Sequence, residues 1–175
     1  MEPVVVEDSA SIVIADTSVL INFLAIDRLD LMGRHGCRFL ITDHVRHEVL
    51  DHYHEQYARL KTALEQGILE EIAITDQGEV DTFIKLTSTG NLGYGECSAI
   101  AVAIQRGWTL AIDDKRAGKE AAARCPTLNI ITTQDLMVSM IRGGLLSVAE
   151  ADAIKDEWAS VHKFRLKIAS FSKLI

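Results

Sequence analysis

A chain of 175 residues, 48% of them hydrophobic, is long enough for one domain with a substantial core, and no internal repeat or low-complexity tract divides it. It has no bilayer-length apolar run and no export-type leader, and Cys37, Cys97 and Cys125 are widely spaced and never in CxxC order; this argues against a membrane span, a disulfide framework and a zinc knuckle, and predicts a cytoplasmic protein. The net charge of −7 disfavours a nucleic-acid partner only if the acids are dispersed: without Asp16, Glu48, Glu96, Asp113 and Asp114 it is −2, so one cation-binding pocket would account for most of the excess.

Ser11 to Ala15 is a short β-branched apolar run ending at Asp16, and Val19, Leu20, Phe23 and Leu24 follow at helical spacing, which predicts strand, turn and helix. Capping that helix is the safer reading for Ser18, and Asp16 could cap it as well. Phe39 to Ile41 reads as a buried strand, with Thr42 or Asp43 capping a helix that carries Val45, Glu48 and Val49; the helical pattern runs on through Tyr57, Leu60 and Leu64 to a stop at Gly67. Ile72 to Ile74 predicts a third strand, Val80, Phe83, Ile84 and Leu86 a helix, and the glycines from Gly90 to Gly95 a turn. After Glu96, Ala99, Ile100, Ala103 and Ile104 give a helix whose small-residue face suits close packing on a sheet.

Trp108 to Ile112 is the next strand, and the run KRAGKEAAAR after Asp113-Asp114 is a largely wet helix broken at Cys125-Pro126. Leu128 to Ile131 supplies another strand; Thr132 or Thr133 opens a helix through Leu136, Met137, Met140 and Ile141 to Gly143. Ser147-Val148-Ala149-Glu150 is a capping box that starts a helix toward Trp158. In the tail, Phe164-Arg165-Leu166-Lys167-Ile168 alternates like a strand, while Phe164, Ile168, Phe171 and Ile175 share a helical face; a final helix is the expectation.

This order predicts an α/β fold with an open, mostly parallel sheet covered on both sides, residues 1–175 forming one domain and about 144–175 a helical extension packed on it. If the strands holding Ile14 and Ile112 are neighbours, Asp16 and Asp113-Asp114 emerge at one carboxyl edge, where open sheets build their sites. Glu96 follows Gly93 and Gly95 into the first turn of its helix, where the dipole favours a carboxylate, and Glu48 reaches in from the flank. Such a cluster repels itself until cations enter; hard divalent ions, Mg²⁺ or Mn²⁺, would relieve it and assist hydrolysis of a phosphodiester. The hydroxyls of Thr17 and Ser18 are placed to hold a carboxylate or a substrate phosphate.

The segments IADTSVLINF, VRHEV, LGYGECSAIAVA and LAIDDKRAGKEAA, in this order over about the first three quarters of the chain, resemble the motifs of PIN-domain nucleases. The resemblance implies a Rossmann-like three-layer α/β/α sandwich, Mg²⁺- or Mn²⁺-dependent endoribonuclease activity on single-stranded RNA, a homodimer and, as in many bacterial and archaeal members, the toxin role of a toxin-antitoxin pair with a cognate antitoxin as partner. It assigns the family's four acids to Asp16, Glu48, Glu96 and the Asp113-Asp114 pair, with Asp114 preferred as metal ligand and Asp113 second. The third acid is Glu where many toxins have Asp, and the residues after Gly143 extend beyond the short toxins.

Other constellations carry less. His44, His47, His52 and His54 include a face of His47, Asp51 and His54, but without HExxH or a cysteine partner a wet helix is the better reading than zinc. Lys115, Arg116 and Lys119 follow the acidic pair and are placed either to steer a phosphate backbone or to solvate a helix. The tail after Glu157 has no acid, and Lys163, Arg165, Lys167 and Lys173 surround apolar Phe164, Ile168 and Phe171; closing the core is favoured over touching RNA or a partner. Two further functions compete: an aspartate-based phosphatase or phosphotransfer domain, disfavoured because Asp16-Thr17-Ser18 lacks a DxD pattern, and a non-catalytic module acting through protein partners, disfavoured by the full set of acids.

Overall fold

The computed structural model describes residues 10–175. At its centre lie five short strands, β1 (Ile12–Ala15), β2 (Arg38–Thr42), β3 (Glu70–Ile72), β4 (Thr109–Ala111) and β5 (Ile130–Ile131), in the spatial order β3-β2-β1-β4-β5. Every described pairing is parallel, and Ile14 sits opposite Leu40 on one side and Leu110 on the other. Alternate residues of a strand face opposite sides of a sheet, and the two cores follow that rule. Val13, Ala15, Phe39, Ile41 and Ala111 face one cluster, while Ile14, Leu40, Leu110 and Ile112 face the other.

Helices complete the sandwich. On the first face lie α1 (Thr17–Ala25), the short α2 (Asp30–Gly33), α3 (Asp43–His52), α4 (His54–Glu65), α8 (Thr133–Arg142) and α9 (Val148–Val161). On the second lie α5 (Gln77–Thr87), α6 (Tyr94–Arg106) and α7 (Lys115–Arg124). The small residues of α6 are what let it seat against the sheet: Cys97, Ala99, Ile100, Ala101, Val102 and Ala103 are all fully buried. The chain order doubles back between β1 and β4, so a crevice opens over their carboxyl ends, where the loops leave in opposite directions.

Several details differ from the sequence-based expectation, among them a shorter fifth strand and the short α2. The third strand begins two residues earlier, at Glu70, and pairs only with β2 at the edge. The helical pattern after Val49 is interrupted at Tyr53, whose backbone (φ −136°, ψ 61°) leaves the helical region and separates α3 from α4. The first helix is capped by Asp16 rather than Ser18, because the Asp16 carboxylate accepts the Ser18 N–H at 3.0 Å. The final helix is absent: α9 ends at Val161, Lys163 turns the chain through a left-handed φ of 57°, and an irregular segment runs to a single 3-10 turn at Phe171–Lys173.

The segment after Gly143 is built into the first core. Ala151, Ile154, Trp158 and Phe171 join Phe23, Met137 and Met140 there, and the Trp158 ring meets Phe23 edge-on at 5.8 Å. Among the described residues no helix is long and apolar enough to cross a membrane.

Candidate active site

Asp16 follows the last residue of β1, and its N–H continues the ladder to the Ala111 carbonyl of β4 at 2.9 Å. The residue is therefore fixed by the sheet itself, and it is 1% exposed. One carboxylate oxygen caps α1; the other, Oδ1, is buried without a hydrogen-bond partner. Burial pushes the carboxyl up to about 6; the Ser18 hydrogen bonds oppose the rise, and the charges of Glu96 and Glu48 add to it. A buried acid with an idle oxygen is costly unless something electropositive completes it.

Glu48 arrives from α3, between the core residues Val45 and Val49. Its Oε2 accepts the Thr17 hydroxyl at 2.6 Å and its Oε1 accepts the Gly95 N–H at 3.1 Å. The N-terminal end of α6 thus faces this carboxylate, and the dipole favours its charge. Gly95 is required for the approach: a Cβ there would overlap the Glu48 carboxylate, so the glycine serves a side chain rather than an unusual backbone angle. Glu96, in the first turn of the same helix, accepts the Gly93 N–H at 3.0 Å. Its carboxyl is raised by partial burial; the Gly93 bond opposes this, the charges of Asp114 and Glu48 add to it, and Arg116 counters them.

The acidic pair after β4 divides. Asp114 caps α7 through Oδ1, which accepts the Ala117 N–H at 2.9 Å, and its charge is felt by Glu96. Asp113 is held elsewhere: Oδ1 accepts the Thr133 N–H at 2.8 Å, and Oδ2 takes the Thr133 hydroxyl at 2.6 Å and the Asn22 amide at 3.0 Å. Both its oxygens are committed to holding α1 and α8 to the end of β4. Its N–H in turn donates to the Ser18 hydroxyl at 3.0 Å, so the serine side chain also braces the turn after β4.

The open space over these groups is a cavity of about 320 Å³ lined by Asp16, Thr17, Ser18, Glu48, His52, Tyr53, Gly93 and Glu96. Three acids share that lining with no Lys or Arg. Among the described residues, no three His, Cys, Asp or Glu side chains stand close enough to enclose an ion by themselves. That suits an ion which keeps several waters and takes one or two carboxylates, as Mg²⁺ does, better than one held in a closed protein cage such as structural Zn²⁺. The idle Asp16 oxygen and the raised carboxyls of Asp16 and Glu96 fit such an ion. The histidine row does not gather: His44 leans on Asp43 and Phe83, His47 bonds the Asp43 carbonyl at 2.7 Å, and only His52 reaches the cavity. Cys97 is no rival nucleophile, since burial and Glu96 push its thiol up to about 11.

Sequence patterns did not reveal Asn22, Thr133 or Trp158. Asn22 lies within 3.1 Å of both Thr133 Oγ1 and Asp113 Oδ2, and its carbonyl accepts the Trp158 indole N–H at 2.8 Å. Each link spans about a hundred residues or more of chain, and no local signal announces it. Tyr53 and His52 were hidden by the continuous helical pattern around them, whose break brings both to the cavity rim.

A family model described as DUF3368: PIN domain matches residues 12–174. No curated protein sequence matches at a significant level. Among solved structures, that of PAE2754 from Pyrobaculum aerophilum is similar over 78% of this chain and 99% of its own, with a TM-score of 0.50 and 17% identity. That of VapBC2 from Rickettsia felis, bound to a DNA fragment from their promoter, is similar over 69% of this chain and 98% of its own, with a TM-score of 0.47 and 16% identity.

Proposed function

Because the chain belongs to the DUF3368 family of PIN domains, a family of generally metal-dependent nucleases, we propose that it is an Mg²⁺- or Mn²⁺-dependent endoribonuclease acting at the cavity that Asp16, Glu48 and Glu96 line, with Asp114 beside Glu96 outside that lining. The observation that carries this reading is the buried, unpartnered Asp16 oxygen in an acid-lined cavity at the switch point of the sheet. Asp16 and Glu96 would hold the metal directly, while Glu48, fixed by Thr17 and Gly95, and Asp114, which caps α7, would hold it through water. When bound, such an ion lowers the pKa of an attached water and neutralises charge on a phosphoryl oxygen.

The residues themselves supply the rest. Glu48 orients the attacking water and accepts its proton, leaving a 5′-phosphate on one product and a 3′-hydroxyl on the other. Asp113 is a positioning residue, because its oxygens are occupied by Thr133 and Asn22 while its backbone fixes Ser18. Tyr53 and Tyr94, 38% and 66% exposed at the cavity edge and at the start of α6, offer faces for unpaired bases and support a single-stranded substrate. The expected result is Mn²⁺-dependent cleavage of single-stranded RNA that Asp16→Asn abolishes without changing the circular dichroism spectrum. Unchanged cleavage by that variant would overturn the assignment.

The biological setting we propose is the toxin of a toxin-antitoxin pair, working as a cytoplasmic homodimer, with residues 144–175 an integral part of the domain. Family membership supports it, and growth arrest on expression that is relieved by the product of an adjacent gene would test it. Sedimentation as a monomer would remove the dimer.

A further inference from the structure

Nine of the eighteen Lys and Arg residues have a carboxylate within salt-bridge distance among the described residues. Six of the other nine fall in two short segments, Lys115, Arg116 and Lys119 on α7 and Lys163, Arg165 and Lys167 after α9. The fold brings the two together. A groove of about 330 Å³ is lined by Lys115, Thr132 and Gln134 together with the tail residues Phe164, Arg165 and Lys167, and Asp113 also borders it.

The tail segment is held in one conformation. Phe164 packs edge-on against Trp158 at 5.4 Å, and its N–H donates to the Trp158 carbonyl at 3.0 Å. At the other end, Ser170 and the Phe171 N–H both donate to Asp152, at 2.6 and 2.9 Å, and Phe171 is fully buried. Between these anchors exposure alternates residue by residue: Phe164, Leu166 and Ile168 turn inward, and Lys163, Arg165 and Lys167 turn out. Exposed cations at every second residue, with no acid between Trp158 and Ile175, form a ladder for a polyanion.

The ladder leads to the candidate active site. Lys115 borders the groove and also the exposed face of α7 that carries Arg116 and Lys119. The Asp113 N–H bonds Ser18, which lines the acidic cavity, so the two depressions share a wall. Asp113, the acid of the groove, has its oxygens committed to Thr133 and Asn22.

We propose that the strap from Lys163 to Lys167, together with Lys115 and Gln134, is a binding track for the sugar-phosphate backbone of a single RNA strand on one side of the scissile bond. The proposal rests on the nuclease reading for its direction, and its test is separable from that reading. In an Asp16→Asn background, the binding of a labelled single-stranded RNA dodecamer would be followed by fluorescence anisotropy across a salt series.

Replacing Lys163, Arg165 and Lys167 together by Gln should weaken binding at least tenfold at 0.1 M salt. It should also reduce the slope of log K against log salt by about 2, at roughly 0.7 per phosphate contact. A control carrying Arg34→Gln, Lys61→Gln and Lys85→Gln, equal in charge and away from the groove, should bind within about twofold of the parent. With Asp16 intact, the strap variant should hydrolyse bis(4-nitrophenyl) phosphate with Mn²⁺ as the parent does, because that substrate is too short to reach the strap. Unchanged RNA affinity and slope would overturn the track and leave the ladder to another polyanion, such as an acidic protein segment; an equal loss in the control would reduce it to net charge and overturn it as well. Absence of hydrolysis in the parent would instead count against the nuclease reading, while the binding series would still decide for or against the strap.

Discussion

Asp16 and Glu79 are both 1% exposed carboxylates, one at the end of β1 and one in the first turn of α5, and the protein treats them in opposite ways. Glu79 is paired with Arg106, whose guanidinium stacks over Trp108 at 4.9 Å, and it also accepts the Thr75 and Asp76 N–H groups at 3.2 and 3.4 Å. Burial works to raise its carboxyl, but the Arg106 contact and those N–H groups leave it below the usual carboxylate range. Asp16 has a single N–H donor, two acidic neighbours and an idle oxygen, and stands well above that range. Burial alone therefore does not distinguish a structural acid from a functional one. The completeness of its partners does, since a completed acid stabilises the fold and an incomplete one stores a demand for positive charge.

The largest expected effect is opposite changes in stability. Glu79→Ala should lower the unfolding free energy by about 2–4 kcal/mol, toward the low end of a broken buried pair because Arg106 can turn partly to water. Asp16→Asn should raise it, by about 2–3 kcal/mol at pH 7 without metal, since the neutral amide no longer bears the penalty that lifts the acid from 3.8 to about 6. Urea denaturation of both variants measures this. If both variants are destabilised alike, the contrast between the two acids fails.

A pH series sharpens the same comparison. Asp16 keeps its proton in the folded protein up to about pH 6 but loses it near 3.8 when unfolded, so its contribution falls as pH rises across that window and is flat above it. Glu79, with a depressed folded value, contributes stability that is present above the ordinary 4.5 and lost as pH falls through the folded value. The stability difference between wild type and Asp16→Asn should therefore widen between pH 4 and 6. Affinity for Mn²⁺, read by isothermal titration, should drop about tenfold per pH unit below 6 as the proton competes.

How far these acids could be read in advance depended on range. β1 and β4 declare themselves by local composition, and Asp16 and Glu96 stand at element boundaries where sequence alone suggests a site, while Glu48 lies mid-helix and was reached through the motif around it. The tail was ambiguous because Phe164, Ile168 and Phe171 satisfy two periodicities at once, and the Trp158 contact and the Asp152 anchor fix it as an irregular segment instead of a helix. Asn22 and Thr133 had no local signal, since what they hold is Asp113, placed across the sheet. Gly95 was visible as a turn residue, but its reason lies in a carboxylate forty-seven positions earlier.

Gly95 gives the next effect in size. Gly95→Ala places a methyl where the Glu48 carboxylate lies, and because that carboxylate is the end of a flexible chain, it should move while the helix remains. Cleavage should fall about tenfold, with stability changed by less than about 1 kcal/mol. A large loss of stability with full cleavage per folded molecule would mean that Glu48 belongs with Glu79 as a structural acid.

The smallest effect tests the hydroxyl that shares Glu48 with Gly95. Thr17 is 8% exposed, and its Oγ1 donates to Glu48 Oε2 at 2.6 Å. Thr17→Val keeps the shape and branching but removes the donor, so Glu48 would swing about the remaining Gly95 N–H bond. A positioning role predicts a fall in kcat of about three- to fivefold, near 1 kcal/mol in barrier, with KM unchanged and Thr17→Ser restoring the rate. A rise in KM for RNA at unchanged kcat would instead assign the hydroxyl to a substrate phosphate, which was the other role open to it in the sequence. Glu48 would then depend on Gly95 alone, and the graded set of acids, from completed Glu79 through tethered Glu48 to idle Asp16, would lose its middle member.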